Sequence, residues 1–315
     1  MKILIYLTHP HVEAWNFQDR HKEQFSRHLP EFSVVVCHNS KEFLARLPEA
    51  EGVIVWYFKR EWQNNSPRLK WIATPAAGKD WIDVEPDLPV LFGGFHGLMI
   101  AESVLGGALH FCKAFQLSRD LQKKKKWARV KISQSITSLY QKRVTVLGFG
   151  RIGQVIGRVF KPFGCHLTGV KRGAMEPPDY FDGNDKIVMA DQLKEVLPET
   201  DHLIFVLPGG VETDGLFTRE HFKQLPRHCI VYNVGRGNVY READIVHALR
   251  EKHIAGAYLD VFETEPLPES SELWDMENVL IQPHLSAASP HYLDLFIEEF
   301  CSAQGQHLGL KKELD

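Results

Sequence analysis

The segment RVTVLGFGRIGQVIGRVF, residues 143 to 160, carries Gly148, Gly150 and Gly153 in a G-x-G-x-x-G register between an apolar strand-like run and a helix-like one. Each glycine has a physical reason. The first permits a tight turn, the second lets backbone approach a pyrophosphate, and the third lets helix pack on strand. The helix that begins there presents unpaired N–H groups to an anion. The pattern alone is weak, because 23 glycines can produce one by chance. Here, however, it sits between a clear strand and a clear helix, and a second strand follows at the proper distance. We read it as a dinucleotide-binding turn rather than as a glycine-rich structural turn.

The second strand ends in TGVKRGA, residues 168 to 174. At this place, about 20 residues beyond the first glycine, an acid usually accepts hydrogen bonds from the adenosine ribose of NAD. Lys171 stands there instead, followed by Arg172. Cations attract a 2′-phosphate through charge-assisted hydrogen bonds, whereas an acid repels it. The pair therefore predicts a preference for NADP(H), with NAD(H) as the alternative cofactor. The competing reading leaves both cations in water.

The elements that must position these groups alternate between apolar runs and helix-period segments, the mark of βαβ units and parallel sheets. The expected fold class is α/β, with two Rossmann-like, doubly wound parallel-sheet domains. Strands are expected at KILIYL (2–7), SVVVC (33–37), GVIVWY (52–57), KWIATP (70–75) and PVLFG (89–93). The second series is RVTVLG (143–148), HLTGV (166–170), KIVM (186–189), HLIFVLP (202–208), CIVYNV (229–234), AGAYLD (255–260) and NVLIQP (278–283). Between the two series, residues 98–117 read as one long helix. Glu102, His110, Lys113 and two mid-segment glycines make it a buried helix rather than a membrane span. The following SRDLQKKKKWARVKISQS has no clear apolar period, and its four consecutive lysines read as a solvated connection. A last helix is expected at about 290 to 306, after the second sheet is complete.

With 315 residues, 44% hydrophobic and 24% charged, the chain has the composition of a soluble globular protein of two domains. A net charge of -3 provides no global attraction to nucleic acid or to an anionic membrane, so neither is expected as a partner. Cys37, Cys112, Cys165, Cys229 and Cys301 are scattered singly, which indicates neither a zinc site nor a disulfide framework and fits a reducing cytoplasm. The apolar run in MKILIYLTHPH is too short for a secretory signal. His9 and His11 lack a spaced carboxylate or third ligand, so no metal is expected.

Three further segments, YNVGRGNVY (232–240), LDVFETEPLP (259–268) and QPHLSA (282–287), follow GFGRIG in that order. Together they closely resemble the D-isomer-specific 2-hydroxyacid dehydrogenases, nearest to the glyoxylate and hydroxypyruvate reductase branch, over about residues 70 to 288. The resemblance implies a flavodoxin-like substrate domain formed by residues 1–94 and 288–315, a dinucleotide-binding domain over 95–287, and an active site in the cleft between. It also implies a homodimer built through the cofactor domain and the helix near 98–117.

Carried over residue by residue, the resemblance assigns Arg236, Glu265 and His284 to catalysis. Glu263 lies two positions early, and the EPLP context picks out Glu265. Local chemistry agrees. Arg236 lies between Gly235 and Gly237 at a strand end, where backbone can crowd a ligand and a guanidinium fork can hold a carboxylate. His284 follows Pro283 at the end of the last strand, and open α/β sheets bind ligands at carboxyl ends of strands. The implied reaction is reduction of a small 2-keto acid to the D-2-hydroxy acid. Arg236 anchors the substrate, His284 donates the proton, and Glu265 orients the imidazole and favours its charged form.

The same resemblance assigns Ala77, Gly78 and Lys79 to the substrate carboxylate. It sets Arg151 and Ile152 along the pyrophosphate, Asp260 and Val234 along the nicotinamide, and Pro208, Thr213 and Gly235 on the cofactor side. Lys79 departs from a usual apolar residue, and GGV replaces a more usual L-T-P before Glu212. Trp56 and Trp127 are candidate pocket walls, or core. The alternative function is a dehydrogenase-like corepressor or sensor that binds dinucleotide without turnover.

Overall fold

Short runs rich in β-branched and aliphatic residues form all twelve strands of the computed structural model, which describes residues 1–30 and 32–304. The chain divides into two compact units, Met1–His96 with the chain from Ala288 onward, and Gly97–Ala287. The first unit holds β1 (Lys2–Tyr6), β2 (Ser33–Val36), β3 (Gly52–Val55), β4 (Trp71–Thr74) and β5 (Val90–Phe92). They pair in parallel in the order β2-β1-β3-β4-β5. This is the flavodoxin-like order. Strands β3 and β4 are buried along their whole length, as a parallel sheet covered on both faces requires.

The helix Tyr292–Glu299 closes this unit, continued by a wider turn over Phe300–Gln304. Phe300 stacks on Phe25 and packs on Trp71, and Arg20 donates to Asp294 at 2.6 Å. The last two positions of the helix expected at about 290 to 306 lie outside the described residues.

The second unit holds β6 (Arg143–Leu147), β7 (His166–Lys171), β8 (Lys186–Met189), β9 (His202–Phe205), β10 (Ile230–Asn233), β11 (Gly256–Leu259) and β12 (Val279–Ile281). All pair in parallel, in the order β12-β11-β10-β9-β6-β7-β8. The order reverses at β6, with β7 on one side and β9 on the other, which creates the crevice at which doubly wound sheets bind ligands. Most strands end a little before the apolar runs do: β9, for example, ends at Phe205 while its run continues to Pro208.

Two expectations between the units' sheets are corrected. The single helix over 98–117 is two, Gly97–Cys112 and Phe115–Lys123, bent by 62°. Ala114 takes φ 51°, which ends the first helix, and the bend turns Gln116, Arg119 and Asp120 to water while Leu121 stays buried. The polar segment after it is largely helical, with a further turn at Arg129–Ser133. The first of these helices belongs to the core of the second unit, where Ile100, Val104 and Ala108 pack with Ile156 and Phe160. Among the described residues no single helix is long and apolar enough to cross a membrane.

A buried carboxylate ties the amino ends of this sheet. Asp201 accepts from the Arg143 backbone N–H at 2.8 Å and lies 2.6 Å from His228 Nε2. Burial pushes the carboxyl up, but the bonds from Arg143 and His228 outweigh it and hold it at about 2. Because the folded value lies below the ordinary one, the stabilisation is present above about pH 4 and is lost as pH falls towards 2. Asp201→Asn should lower the unfolding free energy by about 2 kcal/mol near neutral pH and by about half as much near pH 3. Denaturant titrations at the two pH values measure this, and equal differences would contradict it.

Candidate active site

The glycine turn follows β6 at the switch point. Gly148 has φ 101°, and both its N–H and that of Phe149 donate to Val170 O at 3.0 Å. A Cβ at Gly148 would lie 2.6 Å from Val206 O, and one at Gly153 would lie 2.6 Å from Gly148 O. A Cβ at Gly150 would meet nothing within 4 Å. The first and third glycines are thus demanded by the protein's own backbone, while the second leaves an open face. That face lies at the start of the helix Arg151–Phe160, and the amino end of a helix is where backbone N–H groups face an anion. The turn fits a pyrophosphate.

Lys171 ends β7 and Arg172 follows it. Arg172 Nη1 donates to Glu212 Oε2 on the loop after β9. That loop is closed by Thr213, whose hydroxyl donates to Pro208 O at 2.8 Å and Gly210 O at 3.0 Å.

Arg236, Glu265 and His284 come from the carboxyl ends of β10, β11 and β12. The Arg236 turn hangs on Asn233, a fully buried residue. Asn233 Nδ2 donates to Arg236 O at 3.1 Å and to the Tyr240 hydroxyl at 3.0 Å, and Asn233 Oδ1 accepts from the Gly235 N–H at 3.1 Å. The glycines flanking Arg236 are also required by the protein's own packing. They crowd neighbouring backbone: a Cβ at Gly235 would lie 2.6 Å from Leu207 O, and one at Gly237 only 1.9 Å from Phe262 C. Val234, between them and the strand, is buried and donates to Phe205 O at 3.1 Å.

His284 Nδ1 lies 2.8 Å from Glu265 Oε2, and Glu265 Oε1 accepts from the Phe262 N–H at 3.0 Å. Burial pushes the Glu265 carboxyl up, but the bond to His284, the His284 charge, the Phe262 N–H and the Arg236 charge together leave it below its ordinary value. Glu263 is occupied elsewhere: it accepts from the Glu242 N–H at 2.9 Å and from Arg241 Nη1 at 3.1 Å, capping the helix Glu242–Arg250.

His284 takes φ 56°, in the left-handed region that a bulky side chain rarely adopts. Asp260 holds it there. The Asp260 carbonyl accepts from the His284 N–H at 2.8 Å, and its carboxylate accepts from Leu285 N at 2.7 Å and Ser286 N at 3.0 Å. Burial raises the Asp260 carboxyl above its ordinary value despite the bonds from Ser286 and Leu285.

Within the first unit, Ala77, Gly78 and Lys79 follow β4 at its carboxyl end. Gly93 N donates to Ala76 O at 3.1 Å, and Lys79 is exposed with its ammonium 5.9 Å from the Phe92 ring centre. Trp56 is buried against Trp15 and Tyr292 and donates to Trp15 O at 3.2 Å. His9 Nδ1 accepts from the Val12 N–H at 3.0 Å, so one ring nitrogen of that imidazole caps a turn.

Residues 105–286 match the family model of the D-isomer specific 2-hydroxyacid dehydrogenase NAD-binding domain. The chain belongs to this family. A curated relative, glyoxylate reductase from Pyrococcus furiosus, is 30% identical over 280 residues, covering 82% of this chain and 81% of the relative. Among solved structures, a D-isomer specific 2-hydroxyacid dehydrogenase family protein from Aeromonas salmonicida is 28% identical with a TM-score of 0.81, covering 99% of this chain and 97% of that one. An NADPH-dependent glyoxylate/hydroxypyruvate reductase from Sinorhizobium meliloti, in complex with NADP and sulfate, is 25% identical with a TM-score of 0.80, covering 99% and 96%.

Three features of this candidate site escaped the sequence reading: Asn233, the anchoring role of Asp260, and the pairing of Arg172 with Glu212. The first two had a signal, a polar residue at the end of an apolar strand immediately before a motif. Asn233→Ala should cost about 2 kcal/mol, because it removes the side-chain bonds to the buried Gly235 N–H, the Arg236 carbonyl and the Tyr240 hydroxyl. Urea denaturation measures the loss, and wild-type stability would contradict the assignment.

Proposed function

We propose that the protein reduces a small 2-keto acid of the glyoxylate or hydroxypyruvate type to the D-2-hydroxy acid with NADPH, and that His284 is the proton donor. The observation that carries the reading is the 2.8 Å bond between His284 Nδ1 and Glu265 Oε2. A carboxylate that accepts the Nδ1 proton leaves Nε2 as the nitrogen that exchanges a proton with the substrate oxygen. Arg236, whose charge also reaches Glu265, supplies a planar fork suited to the substrate carboxylate and a cation beside the ketone. When bound, the reduced nicotinamide supplies hydride to the carbonyl carbon.

The cofactor assignment rests on Gly148, Gly150, Arg151, Ile152 and Gly153 for the pyrophosphate, and on Lys171 with Arg172 for the 2′-phosphate. The NADP bound to the Sinorhizobium meliloti reductase supports the same preference here. In this reading the protein is a homodimer. Its support is an exposed apolar group that follows the helix Gly97–Cys112, with Phe115, Trp127, Val130 and Tyr140 all open to water and Trp127 89% exposed.

Two substitutions test the chemistry with glyoxylate, hydroxypyruvate and NADPH. His284→Gln should lower kcat by about 100-fold or more while leaving the Kd for NADPH unchanged. Near-normal turnover would overturn the proton-donor assignment. Arg236→Lys should lower kcat/KM for the keto acid by about tenfold or more, because an ammonium cannot reproduce two parallel charged bonds. An unchanged kcat/KM counts against the arginine.

A further inference from the structure

Sheet order places β7 and β9 on either side of β6, so the end of β7 and the loop after β9 flank the glycine turn. Their side chains meet as Arg172 Nη1 donates to Glu212 Oε2. Both side chains are largely in water, 72% exposed for Arg172 and 75% for Glu212. The loop that carries Glu212 is built rather than loose: the Thr213 hydroxyl bonds Pro208 O and Gly210 O, and Gly210 takes φ 144°. Glu212 therefore holds out a carboxylate on a closed loop, aimed at the guanidinium beside Lys171.

We propose that Glu212 is a cofactor-specificity residue, whose carboxylate occupies Arg172 in the place that a 2′-phosphate takes. The inference rests on the reading in which Arg172 meets that phosphate. Carboxylate and phosphate are both acceptors for the same guanidinium fork. If NADP(H) binds, either Glu212 releases Arg172, or a carboxylate and a near-dianionic phosphate sit side by side on one cation. Both alternatives cost affinity. NAD(H), which has no 2′-phosphate, bears neither cost. At physiological salt, charges in water are screened over about 8 Å, so the effect is a moderate discount on NADP(H) rather than its exclusion. Glu212 thus tempers a preference that Lys171 and Arg172 create.

Calorimetric titration of the full chain with NADPH, NADH and adenosine 2′,5′-bisphosphate tests this without turnover. Glu212→Gln keeps the side-chain shape and removes the charge. It should bind NADPH and the bisphosphate about threefold to tenfold more tightly at low salt, with NADH changed by less than about twofold. The gain should shrink as salt is raised, and it should vanish in an Arg172→Ala background. Unchanged or weaker NADPH binding overturns the proposal, as does an equal gain for NADH or a gain that survives without Arg172. Arg172→Ala alone separates the two layers. If it leaves NADPH affinity intact, the cofactor reading itself fails. If it weakens NADPH while Glu212→Gln does not tighten it, only the role of Glu212 fails.

Discussion

Asp260 keeps the backbone of His284 in a left-handed conformation, and the pairing of His284 with Glu265 depends on that restraint. A non-glycine residue there costs of order 1–3 kcal/mol, so it persists only where its surroundings over-determine it. Here the Asp260 carbonyl fixes the His284 N–H, and the Asp260 carboxylate fixes the next two N–H groups. Ser103, on the helix Gly97–Cys112, donates to Ser286 O at 2.9 Å from the other side. With the backbone held this way, the imidazole of His284 meets Glu265. A buried carboxylate is costly to desolvate, but one that accepts several backbone N–H groups recovers much of that cost and imposes a single loop shape.

The second constraint is close approach between neighbouring loops. Gly148 rests on the Val206 carbonyl, Gly235 on the backbone of Leu207, and Gly237 on that of Phe262. These contacts tie the ends of β6, β9, β10 and β11 into one continuous floor, on which Arg236 and the glycine turn are carried. No side chain fits between such backbones, so glycine is required by packing before any ligand is considered. Rigid elements with locked supports are what precise chemistry needs.

Much of this was legible in the sequence because it depends on local pattern. The strands of both sheets announce themselves as short aliphatic runs, and G-x-G-x-x-G between a strand and a helix has a mechanical meaning. Glu265 was separable from Glu263 only through the family's motif context, and the structure gives the physical difference: one bonds His284, the other caps a helix. What sequence did not reveal depends on tertiary geometry. The break at Ala114 needs a left-handed residue that composition does not mark. The partners of Asn233 and Asp260 are loop N–H and carbonyl groups, which carry no side-chain signature. Glu212 meets Arg172 across 40 positions of chain, through sheet order alone.

In the proposed function, the carboxyl ends of β10, β11 and β12 form a reduction site served by NADPH. It is tested most directly by steady-state rates with glyoxylate and hydroxypyruvate, using NADPH and NADH in parallel. The expected result is oxidation of the cofactor in step with loss of keto acid, at a higher kcat/KM for NADPH than for NADH. Tight NADPH binding with no turnover of any 2-keto acid would contradict it and would make the protein a dinucleotide-binding module instead.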